Sequence, residues 1–406
     1  MSSPHARRRA ESRVRVRRQR RRVALVLLVA VVAAVLAAKG GGSSHGHGHS
    51  AARRAPAVVP GGPLAPAYVG GLASLWAPRN VVGSQPGTAA AYEAASRRPG
   101  PAGYILIADR GNNRVLVVNP QGQIVFTYPT SEDLRRGRRL VFNDDTFVDP
   151  GGQSLIANEE DNHAIVRIGL ADHSLTVLFG HPGEPGSDET HLRTPDDAYT
   201  LPDGSFTVAD AYNCRILFIL AGRIVRQYGH SGVCMHAPPR YLGAVNGDTP
   251  VPGGGVLVSE ITGSWIDDIG ADGRLVFAVQ APVSYPSDPQ PLPGGRILVA
   301  DYASPGSVLI IDQRGKVLWR YRRLRGYGRL DHPSLAMALP NGNIAVNDDY
   351  RDRVVVIDPR TNAIVWQYGH TDNPGTAPGF LHIPDGMDFI PAGPRGGPDY
   401  AAVVHP

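Results

Sequence analysis

Between residues 195 and 230, short runs of β-branched and aromatic residues alternate with turn signals, in the segment PDDAYTLPDGSFTVADAYNCRILFILAGRIVRQYGH. Such runs, divided by Asp-Gly, Tyr-Asn and Ala-Gly turns, are typical of a four-stranded antiparallel unit. The strands it predicts are 198–201, 206–209, 215–220 and 224–228. A lone unit of this size exposes both faces, so it must stack on copies of itself.

Five further segments repeat this pattern, and each is aligned by the acid or Asn that ends its second predicted strand. The spacing between these anchors is about 41 to 52 residues, which fits a four-stranded propeller blade. The sequence therefore predicts six blades. The anchors are Asp109, Asn158, Asp210, Glu260, Asp301 and Asp348.

The first copy lacks its innermost strand, and the chain supplies it after the last copy. PDGMDFIP at 384–391 aligns with PDDAYTLP at 195–202. Joining both ends in one blade leaves no sheet edge open. The predicted fold is all-β, a six-bladed propeller of four-stranded antiparallel blades over residues 104–391, with a C-terminal tail at 392–406.

The residues before the propeller divide by composition into a basic tail (1–22), an apolar segment (23–38), a Gly/His/Pro linker (39–67) and a lead-in (68–103). As a helix, the apolar segment spans roughly 24 Å, which fits a transmembrane or signal-anchor helix or the core of a cleaved signal peptide. Either interpretation leaves the basic flank in the cytoplasm and exports the propeller. We expect a single-pass protein of the cell membrane or, after cleavage, a secreted one.

Charge is distributed unevenly. Residues 1–39 contain 11 of the 41 Lys and Arg residues and one of the 36 acids. The rest of the chain therefore carries 30 basic and 35 acidic residues, a net charge of about −5. We therefore expect no nucleic-acid partner. The partner we expect is a small molecule, a polysaccharide or a protein at the cell envelope. The N-terminal helix is expected to contact the membrane.

The two cysteines are expected on one face of one blade. Cys214 begins a third strand and Cys234 lies in the loop after the fourth, and both loops emerge on the same face. In an exported chain this predicts a disulfide. The alternative is a nucleophilic Cys234 beside His236.

The predicted topology gathers polar residues on this face, where the inner strands begin at the channel mouth. A ring of carboxylates, amides and hydroxyls there suits Ca²⁺ or another hard cation, or it caps turns around a water-filled channel. The candidate ligand residues are Asp144, Asp145, Asp196, Asp197, Asn246, Ser287, Asp288, Ser334 and Asp385.

In three blades an arginine follows the anchor acid by five residues: Arg114, Arg215 and Arg353. Because the same pair recurs, an architectural role in capping and pairing is the simpler interpretation.

Three histidines lie within four residues before the Pro that opens an inner strand: His191, His332 and His382. An imidazole beside carboxylates suits a general base or Zn²⁺. These histidines are the catalytic candidates, and Asp196, Asp385 and His382 are the metal candidates. The sequence holds no HExxH motif, so the metal pattern is of low specificity.

At ADRGNNRV (108–115) and ADAYNCRI (209–216) the sequence resembles NHL-repeat six-bladed propellers of the exported actinobacterial type. IDQRGKVLW (311–319) and IDPRTNAIVWQ (357–367) are similar to pyrroloquinoline-quinone-binding-like repeats, without implying that cofactor. The resemblance implies the fold over residues 104–391. Relatives of the fold include lyases with channel metals, and none of their motifs carries over.

Two functional hypotheses follow. The first is a membrane-anchored, extracytoplasmic module that binds a ligand or protein through the polar channel mouth. The second is a metal-dependent lyase or hydrolase, with Ca²⁺ or Zn²⁺ and a histidine base at the same mouth.

Overall fold

The computed structural model describes Pro101 and residues 103–405. The basic tail, the apolar segment, the linker and nearly all of the lead-in lie outside these residues. Among the residues described, no helix has the length and apolar character needed to cross a membrane.

Six four-stranded antiparallel sheets make up the fold. Blade one joins β1 (Gly103–Asp109), β2 (Arg114–Val118) and β3 (Ile124–Tyr128) to the last strand, β24 (Pro384–Pro391). Blade two contains β4 (Asn143–Val148), β5 (Ser154–Glu159), β6 (Ala164–Gly169) and β7 (Leu175–Gly180). Blade three contains β8 (Pro195–Asp197), β9 (Phe206–Asp210), β10 (Arg215–Leu220) and β11 (Arg223–Gly229).

The remaining three blades follow in chain order. Blade four contains β12 (Val245–Val251), β13 (Gly255–Glu260), β14 (Trp265–Ile269) and β15 (Leu275–Gln280). Blade five contains β16 (Pro286–Leu292), β17 (Arg296–Asp301), β18 (Ser307–Asp312) and β19 (Val317–Arg322). Blade six contains β20 (Ala336–Ala338), β21 (Ile344–Asp348), β22 (Arg353–Asp358) and β23 (Ala363–Gly369).

The predicted closure of the ring is confirmed. Strand β24 pairs with β1 from Gly103 opposite Pro391 to Asp109 opposite Pro384. Each inner strand from β4 to β16 contacts the inner strand of the next blade, and β24 contacts β4. The two ends of the repeat region therefore share one sheet, and the six inner strands surround a central channel.

Apolar side chains fill the space between neighbouring blades, and two tryptophans add directed contacts. Trp319 on β19 donates to Asn362 Oδ1 in blade six, at 2.8 Å. Trp366 on β23 donates to the Pro120 carbonyl in blade one, at 3.3 Å. Because an indole N–H needs a partner when buried, each bond ties one blade to the next.

Some elements differ from those predicted. Strand β8 ends at Asp197, so the pattern at 198–201 forms only an isolated bridge, from Thr200 to Phe206. A short helix, α1 (Ser131–Arg135), leads out of blade one, with Thr130 and Asp133 forming a capping box. Short 3₁₀ turns follow four of the second strands, at Arg110–Asn112, Glu160–Asn162, Ala211–Asn213 and Asp349–Arg351, and a fifth lies at Tyr400–Ala402.

Candidate functional site

The acids that end the second strands form an architectural unit, which we call the acid–arginine clasp, in blades one, three and six. In each clasp the arginine Nε lies 2.6 to 2.7 Å from the acid. The acid's other oxygen accepts a backbone N–H from the loop that enters the inner strand of the same blade. The clasp therefore fixes where each inner strand begins. The pairs are Asp109 with Arg114, Asp210 with Arg215, and Asp348 with Arg353.

In blade two the anchor is Glu159 and not Asn158. Glu159 ends β5 and accepts the Val141 N–H at 2.8 Å and the Asn162 amide at 2.6 Å, as Asp109 and Asp210 accept a backbone N–H and an Asn amide in blades one and three. Asn158 instead donates to the Pro195 carbonyl at 3.1 Å. The assignment from the sequence was therefore shifted by one residue.

The centre of the channel mouth is Arg110, which follows the anchor of blade one. Its guanidinium donates to Asp144 Oδ1 and to Asp385 Oδ2, both at 2.7 Å, and also pairs with Glu160. The Arg110 side chain is only 16% exposed. One guanidinium thus holds acids from blades one and two together at the opening.

The rest of the ring is joined by neutral hydrogen bonds. The Asn246 amide donates to Asp196, and Ser287 donates to Asn246 Oδ1 at 2.9 Å. Ser334 donates to the Asp385 carbonyl at 2.7 Å and to Asp349 at 2.9 Å. The second residue of five inner strands, together with Ser334 just before β20, therefore forms a polar ring at the mouth.

The acids of this ring differ in their protonation. Burial disfavours the charged form of Asp385, but the charge and the hydrogen bond of Arg110, together with hydrogen bonds involving Asp144 and Ser334, favour it, and the pKa of Asp385 is lowered. Burial raises the pKa of Asp144 well above its usual range against the opposing effect of Arg110, and Asp385 adds to the rise. Burial likewise raises the pKa of Asp196, with a contribution from Glu160, and that of Asp349, with one from Asp385. Asp385 therefore carries the negative charge facing Arg110, and its neighbours hold protons more readily.

An aromatic wall lies beside this ring. The Tyr285 and Tyr302 rings lie 5.1 Å apart, and His332 packs edge-on against Tyr302 at 4.9 Å and Tyr350 at 4.6 Å. The His332 Nδ1 is 2.6 Å from Asp331 Oδ1. These four rings give the mouth faces on which a ligand can stack.

One step further into the channel is a layer of buried carboxyl groups: Asp145, Asp197, Asp248 and Asp288. Burial raises the pKa of each, that of Asp197 to about 7. Among the described residues, Oδ1 of Asp145, Oδ1 of Asp288 and both oxygens of Asp248 have no hydrogen-bond partner. This layer therefore requires either protons or a cation.

The C-terminal residues contribute to the channel at a deeper level. His405 Nε2 lies 2.9 Å from Asp388 Oδ2, and its ring packs edge-on against Phe147 and Tyr199. Burial disfavours the His405 imidazolium, but the charge and the hydrogen bond of Asp388, together with the charges of Asp149 and Asp197, favour it, and the pKa of His405 is raised. Nothing in the sequence indicates that residues 392–405 reach the channel, because a single His in a short tail has no pattern.

The three candidate histidines lie in different surroundings. His332 is part of the aromatic wall. His382 lies against the turn of blade one, with Nδ1 3.3 Å from the Gly111 carbonyl, and its contacts among the described residues include neither Asp196 nor Asp385. His191 stacks on His181 and bonds Asp188 at 2.9 Å in the loop before β8, without contact to the ring in the described part of the chain. The proposed metal set of Asp196, Asp385 and His382 is thus not assembled; the carboxylates that approach each other are Asp144, Glu160 and Asp196.

Sequence reasoning missed Arg110, Glu160 and Asp349, which occupy one repeat position directly after the anchor acids. Blades three and five hold Ala211 and Tyr302 there. The signal that could have identified these three residues is the change of charge at one position of the repeat.

The predicted disulfide is present. Cys214 and Cys234 are joined with their Cα atoms 5.2 Å apart, and the described chain has no free cysteine. A nucleophilic Cys234 is therefore excluded in this structure.

Comparisons with known proteins agree with the fold class. A chain of a nidogen/laminin complex superposes with a TM-score of 0.50 at 11% identity, over 70% of this chain and 97% of that one. A Bacteroides caccae protein of unknown function gives 0.48 at 17% identity, over 71% and 98%. A streptogramin B lyase gives 0.47 at 15% identity, over 72% and 94%.

No protein-family model and no curated protein matches the sequence. The chain is a six-bladed β-propeller, and at these identities the likeness to solved structures concerns the fold alone.

Proposed function

We propose that this chain is a membrane-anchored, extracytoplasmic propeller that binds a ligand or a protein partner through the channel mouth, and that it recognises a cationic group. The observation that carries the proposal is the excess of acids around Arg110. Asp144, Glu160 and Asp385 share this one guanidinium, while Asp196 and Asp349 accept hydrogen bonds from neutral groups. A ligand ammonium or guanidinium offsets the surplus negative charge.

The aromatic wall supports the same ligand class. The faces of Tyr285, Tyr302 and Tyr350 attract a cation by their quadrupoles, in addition to the carboxylates. His405 packs against Phe147 and Tyr199 deeper in the channel, so we expect a ligand to enter and leave through the mouth.

Export is supported by the disulfide, since such bonds persist in oxidising compartments. The basic run and the apolar segment of residues 1–38 also favour attachment to the membrane, with the propeller outside the cytoplasm. The partner we propose is therefore a basic small molecule or a basic segment of a protein at the cell envelope.

Calorimetry on the full-length chain tests the cationic ligand, with spermidine and a tri-lysine peptide as probes and a neutral oligosaccharide as comparison. We expect binding that weakens with salt and strengthens from pH 5 to pH 8, because protons compete for the ring carboxylates. Asp196→Asn and Asp349→Asn should each weaken it about tenfold, the equivalent of one charge-assisted hydrogen bond. The matched control is Asp272→Asn, whose side chain is 62% exposed.

Binding of the neutral sugar in preference to both cations would show that the mouth serves a polysaccharide. Binding of the cations with equal affinity in the control and in both ring variants would show that they associate elsewhere on the surface.

The second candidate is a metal-dependent lyase or hydrolase, and a separate observation favours it. The unpartnered oxygens of Asp145, Asp248 and Asp288 are hard ligands of the kind that Ca²⁺ takes. At Asp144 and Glu160, by contrast, Arg110 already supplies positive charge, so a divalent cation fits the deeper layer better. His332, oriented by Asp331, is the candidate base above it. Stoichiometric Ca²⁺ that is lost in Asp248→Asn would support this candidate.

A further inference from the structure

Blade four departs from the acid–arginine clasp. Five residues after its anchor, Glu260, stands Trp265, where blades one, three and six have arginine. A second acid, Asp267, lies two positions further along β14, on the same face of the sheet as Glu260. Both carboxyl groups are fully buried. Blade four therefore lacks the arginine that neutralises the anchor acid in blades one, three and six, and it has a second acid instead.

His236 approaches this acid pair from the loop after blade three. Its Nδ1 lies 3.2 Å from Glu260 Oε2 and 3.9 Å from Asp267 Oδ2. One atom from each of the three residues can be chosen so that all lie within 4.8 Å of one another. The imidazole is stacked on the Trp265 indole, with centroids 4.0 Å apart and planes inclined by 7°, so its orientation is fixed.

The remaining oxygens of the pair have no partner among the described residues: Oε1 of Glu260, and both Oδ1 and Oδ2 of Asp267. A buried carboxylate without a hydrogen bond or a cation is costly, so these atoms require a ligand or a proton. Burial, together with the nearby Glu260, raises the pKa of Asp267 well above its usual range.

We propose that His236, Glu260 and Asp267 bind a divalent transition metal ion of the Zn²⁺ or Mn²⁺ class. An imidazole nitrogen with two carboxylates suits such an ion better than Ca²⁺, which takes oxygen ligands. Ligand atoms at about 2.0 to 2.2 Å from one ion are roughly 3 to 3.6 Å apart. The distances from His236 need to change by only a few tenths of an ångström.

Binding requires one change of protonation. In the metal-free state a neutral His236 donates its Nδ1–H to Glu260 and Nε2 carries no hydrogen. When the ion binds at Nδ1, that proton leaves to solvent and Nε2 takes one up, so the imidazole stays neutral. The His236 side chain is 25% exposed, so an ion can reach the two buried acids past it, and water can complete the coordination.

The loop that carries His236 is held in place on both sides of it. Cys234, two residues earlier, is disulfide-bonded to Cys214. Ala237, directly after it, exchanges backbone hydrogen bonds with Tyr241 at 3.0 and 3.1 Å. The third ligand is thus positioned by constraints that do not depend on the metal. The site uses the second and third strands of blade four, so it does not share residues with the channel mouth.

Metal content of the full-length chain tests the proposal. Because imidazoles are ligands that transition metals take, all measurements use a background with His45→Ser, His47→Ser and His49→Ser, which removes the histidines of the linker. The chain is stripped with chelator, incubated with Zn²⁺, Mn²⁺ or Co²⁺, dialysed and analysed for bound metal. We expect one equivalent of metal, a visible Co²⁺ absorption spectrum and a raised Tm on metal addition.

Three variants locate the ion. Asp267→Asn and His236→Gln should lose the bound metal, the Co²⁺ spectrum and the metal-dependent rise in Tm. Asp268→Asn should keep all three, because Asp268 is the neighbouring buried acid on β14 and points to the opposite face of the sheet. His236→Gln changes a partly exposed loop residue, so it remains informative if Asp267→Asn does not fold.

Two results would overturn the proposal. One is that the parent chain folds but takes up none of the three ions, while the metal-free Asp267→Asn variant has a higher Tm than the parent. This result would show that a shared proton satisfies the acid pair. The other is unchanged metal content in both Asp267→Asn and His236→Gln.

Discussion

Replacing Arg215 by Ala tests whether the acid–arginine clasp is architectural. Arg215 is 2% exposed and its partner Asp210 is fully buried, with 2.7 Å between Nε and Oδ2. The guanidinium also donates to Ser231 Oγ and to the His191 carbonyl, both at 2.9 Å. Truncation leaves the carboxylate buried without its cation and removes these bonds to the loop after β11 and to the loop before β8.

The expected cost is about 3 to 5 kcal/mol, the range for removing one partner of a buried ion pair. Arg360→Ala is the control, because Arg360 also pairs with an acid, Asp358, at 3.0 Å but is 60% exposed. We expect little change in that variant, since exposed pairs contribute little. Urea unfolding of the full-length chain at pH 7, followed by intrinsic fluorescence, measures both.

The pH dependence adds an independent check. Burial already raises the pKa of Asp210, and Arg215 opposes the rise. Without Arg215 the pKa of Asp210 in the folded state rises further. The Arg215→Ala variant is then most stable below the unfolded-state pKa of 3.8, and it loses stability as pH increases through the folded-state pKa of Asp210. The deficit relative to the parent should therefore be larger at pH 7 than at pH 4.

The clasp argument also predicts unchanged affinity for the channel-mouth probe, measured below the unfolding transition. A deficit under 1 kcal/mol, or one that is equal at both pH values, would refute the electrostatic reasoning. Lost binding at full stability would instead assign Arg215 to the site.

Two further predictions concern the disulfide and the C-terminal segment. Reducing the Cys214–Cys234 bond, or Cys214→Ser, should lower the free energy of unfolding by about 3 kcal/mol, because the bond closes a loop of 20 residues in the unfolded chain; an unchanged urea midpoint after reduction would contradict this. His405→Ala should lower Tm more at pH 5.5 than at pH 8.5. The raised pKa of His405 makes its stabilisation complete below the unfolded value of 6.5 and lost as pH rises through the folded value, so equal losses at both pH values would exclude the pairing with Asp388.

Most of the fold could be predicted because its signals are local and repeated. Alternating apolar runs and turn residues specify each strand, and the match of 384–391 to 195–202 specifies the closure. The same reasoning failed by one residue in blade two, where Asn158 and Glu159 are adjacent polar residues. Only the bonds to Val141 and Asn162 distinguish them.

The site was harder to predict than the fold, since it depends on where single side chains point. His191 and His332 both precede an inner strand, but His332 directly precedes Pro333 whereas His191 lies four residues before Pro195. In the structure His332 lies in the aromatic wall, and His191 stacks on His181 in the loop. Distance along the chain to a strand does not determine which way a loop residue faces.

Repetition itself separates architecture from chemistry in this propeller. The clasp recurs in three blades with the same residue types at nearly the same distances, as expected of an architectural joint. The two candidate sites lie where the repeat is broken: Arg110 stands at a position that carries an acid, an apolar residue or a tyrosine in the other blades, and Trp265 replaces a clasp arginine. Each break leaves buried carboxylates without the compensation that the repeat provides elsewhere, and such groups demand a counter-charge. In our two proposals a bound cation supplies this counter-charge, as a ligand group at the mouth and as a metal ion in blade four.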